Sequence, residues 1–311
     1  MTLAYLDCFS GISGDMFVGA LLDAGLPFPE LQKALNSLPL EGYRLETHRE
    51  ERNHLFGTRF LVKVDKARQV HRGLEDIRKI ILAGSLARDV QEKSIRIFEA
   101  IAREEAIIHH CPPEEIHFHE LGAVDSIMDI VGAVFGVHFL GIQHLHASPL
   151  PLGSGFVDTA HGRIPLPAPA TLALLKGLPV YGSELQQEMV TPTGAALVSG
   201  LAETFGSLPP MVVDRVGYGV GSRNLPDRPN LLRLILGRDR SGEHLETVVV
   251  LEANVDDILA RPECQWVDRS LEQKAQGYAV ATVVPEHLAE VRSRKLDLIA
   301  KTEAAVQDRL T

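Results

Sequence analysis

Residues 3–25, LAYLDCFSGISGDMFVGALLDAG, carry three consecutive patterns that decide how the fold begins. Leu3 to Leu6 predicts a short strand, Ser10 to Gly14 a glycine-bearing turn, and Asp15 to Ala24 a helix that ends at Gly25. A strand, a loop and a helix in this order are typical of a protein that builds helices onto a sheet.

Strand and helix patterns alternate along the rest of the chain. Apolar and polar residues alternate from Tyr43 to Val64 around a break at Asn53 to Gly57, which is typical of an antiparallel pair. Helices are predicted at 71–83, 86–108, 123–140, 169–177 and 192–205. Strands are predicted at 116–120, 143–148, 155–159, 211–220, 231–236 and 247–251. We therefore predict an α/β (mixed α+β) fold, with a mixed parallel and antiparallel sheet and flanking helices.

Composition indicates a folded protein with a sizeable core. The chain has 311 residues, of which 45% are hydrophobic, and a formal net charge of −10. An acidic average surface repels phosphate backbones, so nucleic acid is not an expected partner. Cys8, Cys111 and Cys264 are far apart, which argues against a disulfide framework or a zinc knuckle. A metal site in this chain would use mainly nitrogen and oxygen ligands.

The sequence carries no pattern for export or for a membrane span. The first 16 residues have no basic flank before an apolar run, and Asp7 and Asp15 fall where a signal peptide would be apolar. No window reaches the roughly 18 consecutive apolar residues of a spanning helix. We expect a cytoplasmic protein without a membrane partner.

Histidines concentrate in one part of the chain, since eight of the 13 fall between His109 and His161. Residues 117–129, HFHELGAVDSIMD, contain the sharpest pattern. In a strand, residues two apart face the same side, so His117 and His119 can present two nitrogens to one ion. Asp125 and Asp129 are four apart on the following helix and share a face.

These two imidazoles and two carboxylates predict a divalent metal site at the junction of strand and helix. Mixed nitrogen and oxygen ligands suit zinc, nickel, manganese or iron, and the ligand types do not choose among them. In the alternative interpretation, His119 and Asp125 cap the helix and His117 is a surface residue. His161, in a loop bordered by glycine and proline, is a candidate third imidazole or an ordinary loop residue.

A second HxH pair, His144 and His146, is flanked by Leu145 and Ala147 on a predicted buried strand, which favours a structural role. His109 and His110 lie at a predicted helix end, where a cationic side chain complements the carbonyl terminus. A metal relay site is the alternative interpretation of this pair.

The turn after the first strand is a candidate anion site. Ser10, Gly11, Ser13 and Gly14 place glycines and hydroxyls before a helix, where backbone N–H groups receive phosphate or carboxylate. The spacing is neither a Walker loop nor GxGxxG. Asp7 and Asp15 are candidate ligands of a cation that bridges such an anion. A plain turn is the alternative.

A second candidate anion site begins the helix at 192. Thr191 is the expected N-cap with Pro192 in the first turn, and capping explains most of the pattern. Thr193 and Gly194 follow, and Gly194 allows a ligand to approach the helix start closely. The stretch 217–224, GYGVGSRN, indicates a bend near a strand end, with Arg223 a minor candidate for phosphate contact.

Five motifs carry a family resemblance over about the first 255 residues. In chain order they are DCFSGISGDM, HFHELGAVDSIMDIVG, AHGRIPLPAPATLALLKG, TPTGAAL and GYGVGSRNLPDRPN. Together they resemble the ordered motif set of the LarC family of nickel insertion proteins.

This resemblance implies a nickel chelatase, a lyase that inserts nickel into pyridinium-3,5-bisthiocarboxylic acid mononucleotide. The product is the nickel-pincer cofactor of lactate racemase and related enzymes. The family uses CTP with Mg or Mn, and it binds nickel through its histidine-rich amino-terminal region. The partners that it implies are the mononucleotide and the target racemase or a separate carboxyl-terminal chain.

The resemblance also suggests two parts of the chain. Residues 1–245 correspond to an amino-terminal metal-handling domain, and 246–311 to the start of a second domain followed by a divergent helical tail. The sequence departs from the family pattern from about Leu259, and 285–310 predicts a charged amphipathic helix. Two other functions stay open at this point: a nickel-binding chaperone or storage protein without chemistry, and a metal-dependent hydrolase.

Overall fold

The computed structural model describes residues 2–65, 72–118, 123–159, 162–239, 251–254 and 278–281. The chain divides into two compact units, Met1–Asp239 and Arg240–Thr311. In the second unit, two described strands pair antiparallel, with Leu251 opposite Ala281. The predicted helix at 285–310 lies outside the described residues, and the metal-handling role assigned to 1–245 stays a prediction.

The described elements alternate along the chain. The helices are α1 Gly14–Asp23, α2 Phe28–Leu35, α3 Leu74–Ala83, α4 Arg88–His109, α5 Val124–Phe139, α6 Pro169–Leu174 and α7 Pro192–Leu201. The strands are β1 Thr2–Asp7, β2 Tyr43–Arg52, β3 Leu55–Val64, β4 Arg72–Gly73, β5 His117–Phe118, β6 His144–Ala147, β7 Leu150–Leu152, β8 Phe156–Thr159, β9 Gly162–Pro165, β10 Val180–Gly182, β11 Thr204–Phe205, β12 Met211–Val220, β13 Leu231–Asp239, β14 Leu251–Asn254 and β15 Tyr278–Ala281.

A seven-stranded sheet forms the centre of the first unit, in the order β11-β6-β1-β13-β12-β3-β2. Strands β11, β6 and β1 run parallel to each other. Strand β13 lies antiparallel between β1 and β12, and β2 and β3 form an antiparallel hairpin. The predicted mixed α/β fold is therefore confirmed.

Helix α1 lies unusually close to the sheet because β12 carries glycines beneath it. A Cβ added at Gly219 would lie 1.7 Å from the Met16 carbonyl oxygen, and one added at Gly217 would lie 2.2 Å from that of Ala20. Such distances admit only glycine, so the GYG stretch of β12 sets the depth at which α1 packs. Helix α5 packs in turn against α1, with Gly136 in contact with Leu21.

Alternation along the strands separates two faces of the sheet. On β1, Ala4 and Leu6 belong to the main core beneath the helices, and Leu145 and Ala147 on β6 do the same. Residues between them, such as Tyr5, point to the opposite face because successive strand residues alternate. The sheet thus buries its helix-bearing face in one continuous core.

The elements predicted at 192–205 and 116–120 are longer than those in the structure. The helix predicted at 192–205 ends at Leu201, because the backbone of Glu203 and Gly206 donates to Leu145 and Ala147 at 2.8 and 2.9 Å, and β11 joins the sheet beside β6. Of the strand predicted at 116–120, β5 occupies only two residues, and 119–122 lie outside the described residues. Within the described ranges, no helix is long and apolar enough to cross a bilayer.

Candidate functional site

The two predicted anion loops, 10–15 and 191–194, lie against each other. The Ile12 amide donates to the Met189 carbonyl at 3.0 Å, and the Thr191 amide donates to the Ile12 carbonyl at 3.1 Å. This parallel bridge between Ile12 and Val190 brings the first turns of α1 and α7 to the same place. Sequence reasoning treated them as separate sites, and the structure unites them.

The glycines of these loops are required by the backbone approach itself. Gly11 has a φ of +88°, and an added Cβ would lie 1.8 Å from the Met189 carbonyl oxygen. A Cβ on Gly194 would lie 2.2 Å from the carbonyl oxygen of Ile12. The close approach that Gly194 allows is therefore made by the backbone of Ile12.

The hydroxyl groups of the loops also have protein partners. Ser10 is buried and donates to the Pro229 carbonyl at 2.8 Å, and Ser13 donates to the Asp15 carboxylate. The Thr191 hydroxyl accepts the Gly194 amide at 3.1 Å and contacts the Thr193 hydroxyl at 2.9 Å. The capping role of Thr191 is confirmed, and anion binding at these loops stays a prediction.

Two of the predicted metal ligands, Asp15 and Asp129, meet at the start of α1. A Cβ added at Gly14 would lie 2.5 Å from the Asp129 Cβ, so the absence of a side chain at Gly14 lets Asp129 approach. Arg59 donates to Asp15 at 2.8 Å and to the Val220 carbonyl at 2.6 Å. This buried guanidinium holds the carboxylate of Asp15 at the edge of the site.

The pKa of Asp129 is raised well above its usual value. The largest cause is burial, and the negative charges of Asp15 and Asp125 add to it. Arg59 and the backbone amide of Asp15 act in the opposite direction. Asp125 lies on the same face of α5, one turn before Asp129, and is exposed. Burial and two neighbouring negative charges therefore favour a proton or a cation at Asp129.

The other predicted metal ligands either pair with another residue or lie outside the described residues. Asp7 accepts a hydrogen bond from Arg233 Nε at 3.0 Å, and this guanidinium also lies 5.8 Å from the centre of the Phe9 ring. The backbone of His117 belongs to β5, while its side chain, His119 and His161 lie outside the described residues.

In the part of the chain that the structure describes, no three His, Cys, Asp or Glu side chains come together in a metal-binding arrangement. The predicted metal site, His117, His119, Asp125, Asp129 and His161 together with Asp7 and Asp15, stays a prediction. Its acidic half has a structural basis in the approach of Asp129 to the start of α1.

Arg59 is the residue that sequence reasoning missed. It is 8% exposed, between Thr58 and the buried Phe60 in β3. A buried arginine requires a partner, since an unpaired internal charge is costly. The strand alternation of GTRF was the available signal, but it does not show which distant carboxylate would be the partner.

Arg223 does not lie free for a ligand. Its guanidinium donates to the Glu188 carbonyl at 2.7 Å and to the Glu188 carboxylate at 3.2 Å. The buried Asn230 side chain donates to the Arg223 carbonyl at 2.9 Å, which fixes the bend after β12. The predicted bend is confirmed.

Comparison with known proteins agrees with the motifs. The family model of nickel insertion proteins matches residues 4–284. A protein of Syntrophobacter fumaroxidans is 50% identical over 258 residues, which cover 83% of this chain and 66% of that protein. A protein of Citrifermentans bemidjiense is 48% identical over 258 residues, 83% and 67% of the two chains. Both are named as candidate nickel insertion proteins.

The chain spans about two thirds of the length of these relatives. No solved structure matches it. The family model covers most of the chain, and the motifs that it includes form the two joined loops and the carboxylate site. The chain belongs to the family of nickel insertion proteins.

Proposed function

We propose that this protein inserts nickel into pyridinium-3,5-bisthiocarboxylic acid mononucleotide, the precursor of the nickel-pincer cofactor of lactate racemase. Membership of the nickel insertion family carries this proposal. In this proposal the protein is a chelatase of the lyase class, and it uses CTP with Mg or Mn. Nickel is its cargo, and the mononucleotide is its substrate.

The carboxylates at the start of α1 support a role in holding the cargo. Asp15 and Asp129 approach each other, and Asp125 adds a third negative charge from the preceding turn of α5. Burial is the main cause of the raised pKa of Asp129, and repulsion from Asp15 and Asp125 adds to it. A divalent cation relieves this repulsion, so it competes with the proton at Asp129. Arg59 keeps the Asp15 carboxylate in place while the cation is absent.

Transfer from such a site to the substrate has a chemical direction. Carboxylate oxygens are hard ligands that hold nickel weakly, whereas the thiocarboxylate sulfurs of the substrate are softer and more basic toward this metal. The cation therefore moves from oxygen to sulfur as the substrate displaces water. His117, His119 and His161 are the imidazoles proposed to complete the protein side of this exchange.

The joined loops are the proposed binding site for the phosphate of the substrate. The amino-terminal ends of α1 and α7 converge through the bridge between Ile12 and Val190. Helix amino termini carry partial positive charge and unsatisfied N–H groups, which together attract phosphate. The proposed phosphate site adjoins the carboxylates, because Asp15 follows directly in the first turn of α1.

The decisive experiment supplies the purified chain with nickel, CTP, magnesium and the dithiolated mononucleotide, and then measures activation of a lactate racemase. A parallel reaction adds the remaining third of the Syntrophobacter fumaroxidans relative as a separate chain. Activation in either reaction supports the proposal. If neither reaction activates the racemase while that full-length relative does, the proposed function is wrong for this chain.

Variants then test the assigned residues. The double change Asp15→Asn and Asp129→Asn and the double change His117→Ala and His119→Ala should each lower nickel-dependent activation at least tenfold, about the loss for one missing interaction of 1.4 kcal/mol. Asp214→Asn is the matched control, because this exposed carboxylate pairs with the Arg238 side chain on the sheet surface. Wild-type activation by both double variants would remove the site assignment.

A further inference from the structure

His144 and His146 occupy one face of β6, opposite the core. Leu145 and Ala147 alternate with them and are buried beneath the helices. The two imidazoles therefore stand side by side on the other face of the sheet, because strand residues two apart point the same way. Sequence reasoning favoured a structural role for this pair, yet the His144 side chain is 44% exposed.

Each of the two imidazole rings is held through its Nδ1 atom. The Nδ1 of His144 lies 2.8 Å from the Glu203 carboxylate, and the Nδ1 of His146 contacts the Thr204 hydroxyl. Thr204 begins the short strand β11 in register with His146, and Glu203 directly precedes it. Among the described residues, no side chain bonds to either Nε2 atom, so Nε2 is the nitrogen left for a ligand in each ring.

This arrangement is the one that metal-binding histidines use. A ligating imidazole commonly donates its other ring N–H to a carboxylate or another oxygen, which fixes the tautomer and orients the ring. Here Glu203 and Thr204 provide that orientation before any ligand arrives. A surface ion pair between His144 and Glu203 would contribute little stability by itself, and it would not account for the second anchored ring.

We propose that His144 and His146 form a second, exchangeable site for a divalent transition metal, separate from the carboxylates at α1. Two neutral imidazoles suit nickel, copper, cobalt or zinc rather than calcium or magnesium. Water fills the other coordination positions, because Glu203 is engaged at Nδ1 of His144 and the described residues form no group of three His, Cys, Asp or Glu side chains that could hold a metal. Such a site binds and releases its ion readily. Its use as an entry site for nickel cargo rests on the proposed function.

The test is equilibrium binding of nickel chloride alone to the full chain, without CTP or mononucleotide. The double variant His144→Ala and His146→Ala should lose one equivalent of bound nickel. Glu203→Gln should keep the equivalent but weaken its binding about tenfold, the usual cost of removing a partner that orients a ligand. The double variant His144→Gln and His146→Gln repeats the test with less change in side-chain volume.

The matched control is His48→Ala with His54→Ala. These two exposed histidines also contact glutamates, Glu50 and Glu51, but one lies in β2 and the other in the turn that follows it. The control should bind as much nickel as the parent. Unchanged nickel stoichiometry and affinity in both His144 and His146 double variants would overturn the proposed site.

A second measurement separates this site from the proposed function. Racemase activation is followed at limiting and at saturating nickel with the His144→Ala and His146→Ala variant. Slower activation only at limiting nickel supports the entry role. Suppose that nickel binds at this pair, that the parent activates the racemase neither alone nor with the added carboxyl-terminal part, and that the full-length relative does activate it. This result would preserve the site and refute the nickel insertion, so the two failures are distinguishable.

Discussion

Gly194→Ala tests whether the two loops are held together as the structure shows. Position 194 lies in the first turn of α7, where alanine favours the helix over glycine by about 0.5–1 kcal/mol. The added Cβ would lie 2.2 Å from the Ile12 carbonyl oxygen, whereas ordinary contact begins at 3.4 Å. The loops would have to separate by about 1 Å, which stretches the bond from the Thr191 amide to Ile12.

Overpacking of this kind costs about 1–3 kcal/mol, and the helix preference offsets part of it. We expect a net loss of about 1–2 kcal/mol in the free energy of unfolding. In a unit of this size, each kcal/mol lowers Tm by about 2–4 °C, so the expected decrease is about 4 °C. Differential scanning calorimetry of the full chain measures it.

Gly182→Ala is the matched control for this prediction. Gly182 ends β10, and an added Cβ would meet no heavy atom within 4 Å. Its Tm should stay within about 1 °C of the parent, as for most surface changes. A Tm for Gly194→Ala that equals or exceeds the parent value would refute the reasoning, since helix preference alone predicts that result.

Three further predictions concern Asp129, Thr191 and Cys8. Folding raises the pKa of Asp129, so the parent loses stability as pH rises from about 4, the ordinary aspartate pKa, through the raised pKa of the folded state. The Tm of Asp129→Asn should therefore exceed that of the parent at about pH 8 but not at about pH 4. Thr191→Ala should cost about 1 kcal/mol of unfolding free energy, while Thr191→Ser keeps the cap; equal losses by urea denaturation would contradict the capping role. Burial raises the pKa of the Cys8 thiol to about 12, so iodoacetamide should label Cys111 before Cys8 in the native chain and both after denaturation, as mass spectrometry would show.

Local periodicity predicted most elements, because the apolar residues of a helix or a strand recur at the spacing of that element. The β2 and β3 hairpin and the long strand β12 follow from such patterns, and the predicted turn contains Asn53 and His54 with φ of +48° and +65°. The helix predicted to end at residue 205 fails for a reason that periodicity does not contain. Residues 203–206 pair with β6, about 60 residues away in the sequence, and that pairing replaces the last helical turn.

The candidate site also separates features that local sequence predicts from contacts that form only in the folded chain. The motifs indicate Ser10, Gly11 and Gly194 as candidate ligand contacts, with a plain turn and a helix cap as the alternatives. In the structure, backbone from Met189 and Ile12 occupies the space beside the two glycines. A glycine reports that something approaches closely, and sequence alone does not say whether that is a substrate or another loop.

Arg59 and Asp15 illustrate why such partners stay hidden from the sequence. They are 44 residues apart, and an ion pair leaves no spacing rule between two elements that meet only in the folded state. The same holds for His144 and His146, where local spacing gave one face but not the Glu203 and Thr204 partners that orient the rings. The proposed function therefore rests on contacts between residues far apart in the sequence, so variants at these contacts test the proposed chemistry more directly than variants within a single motif.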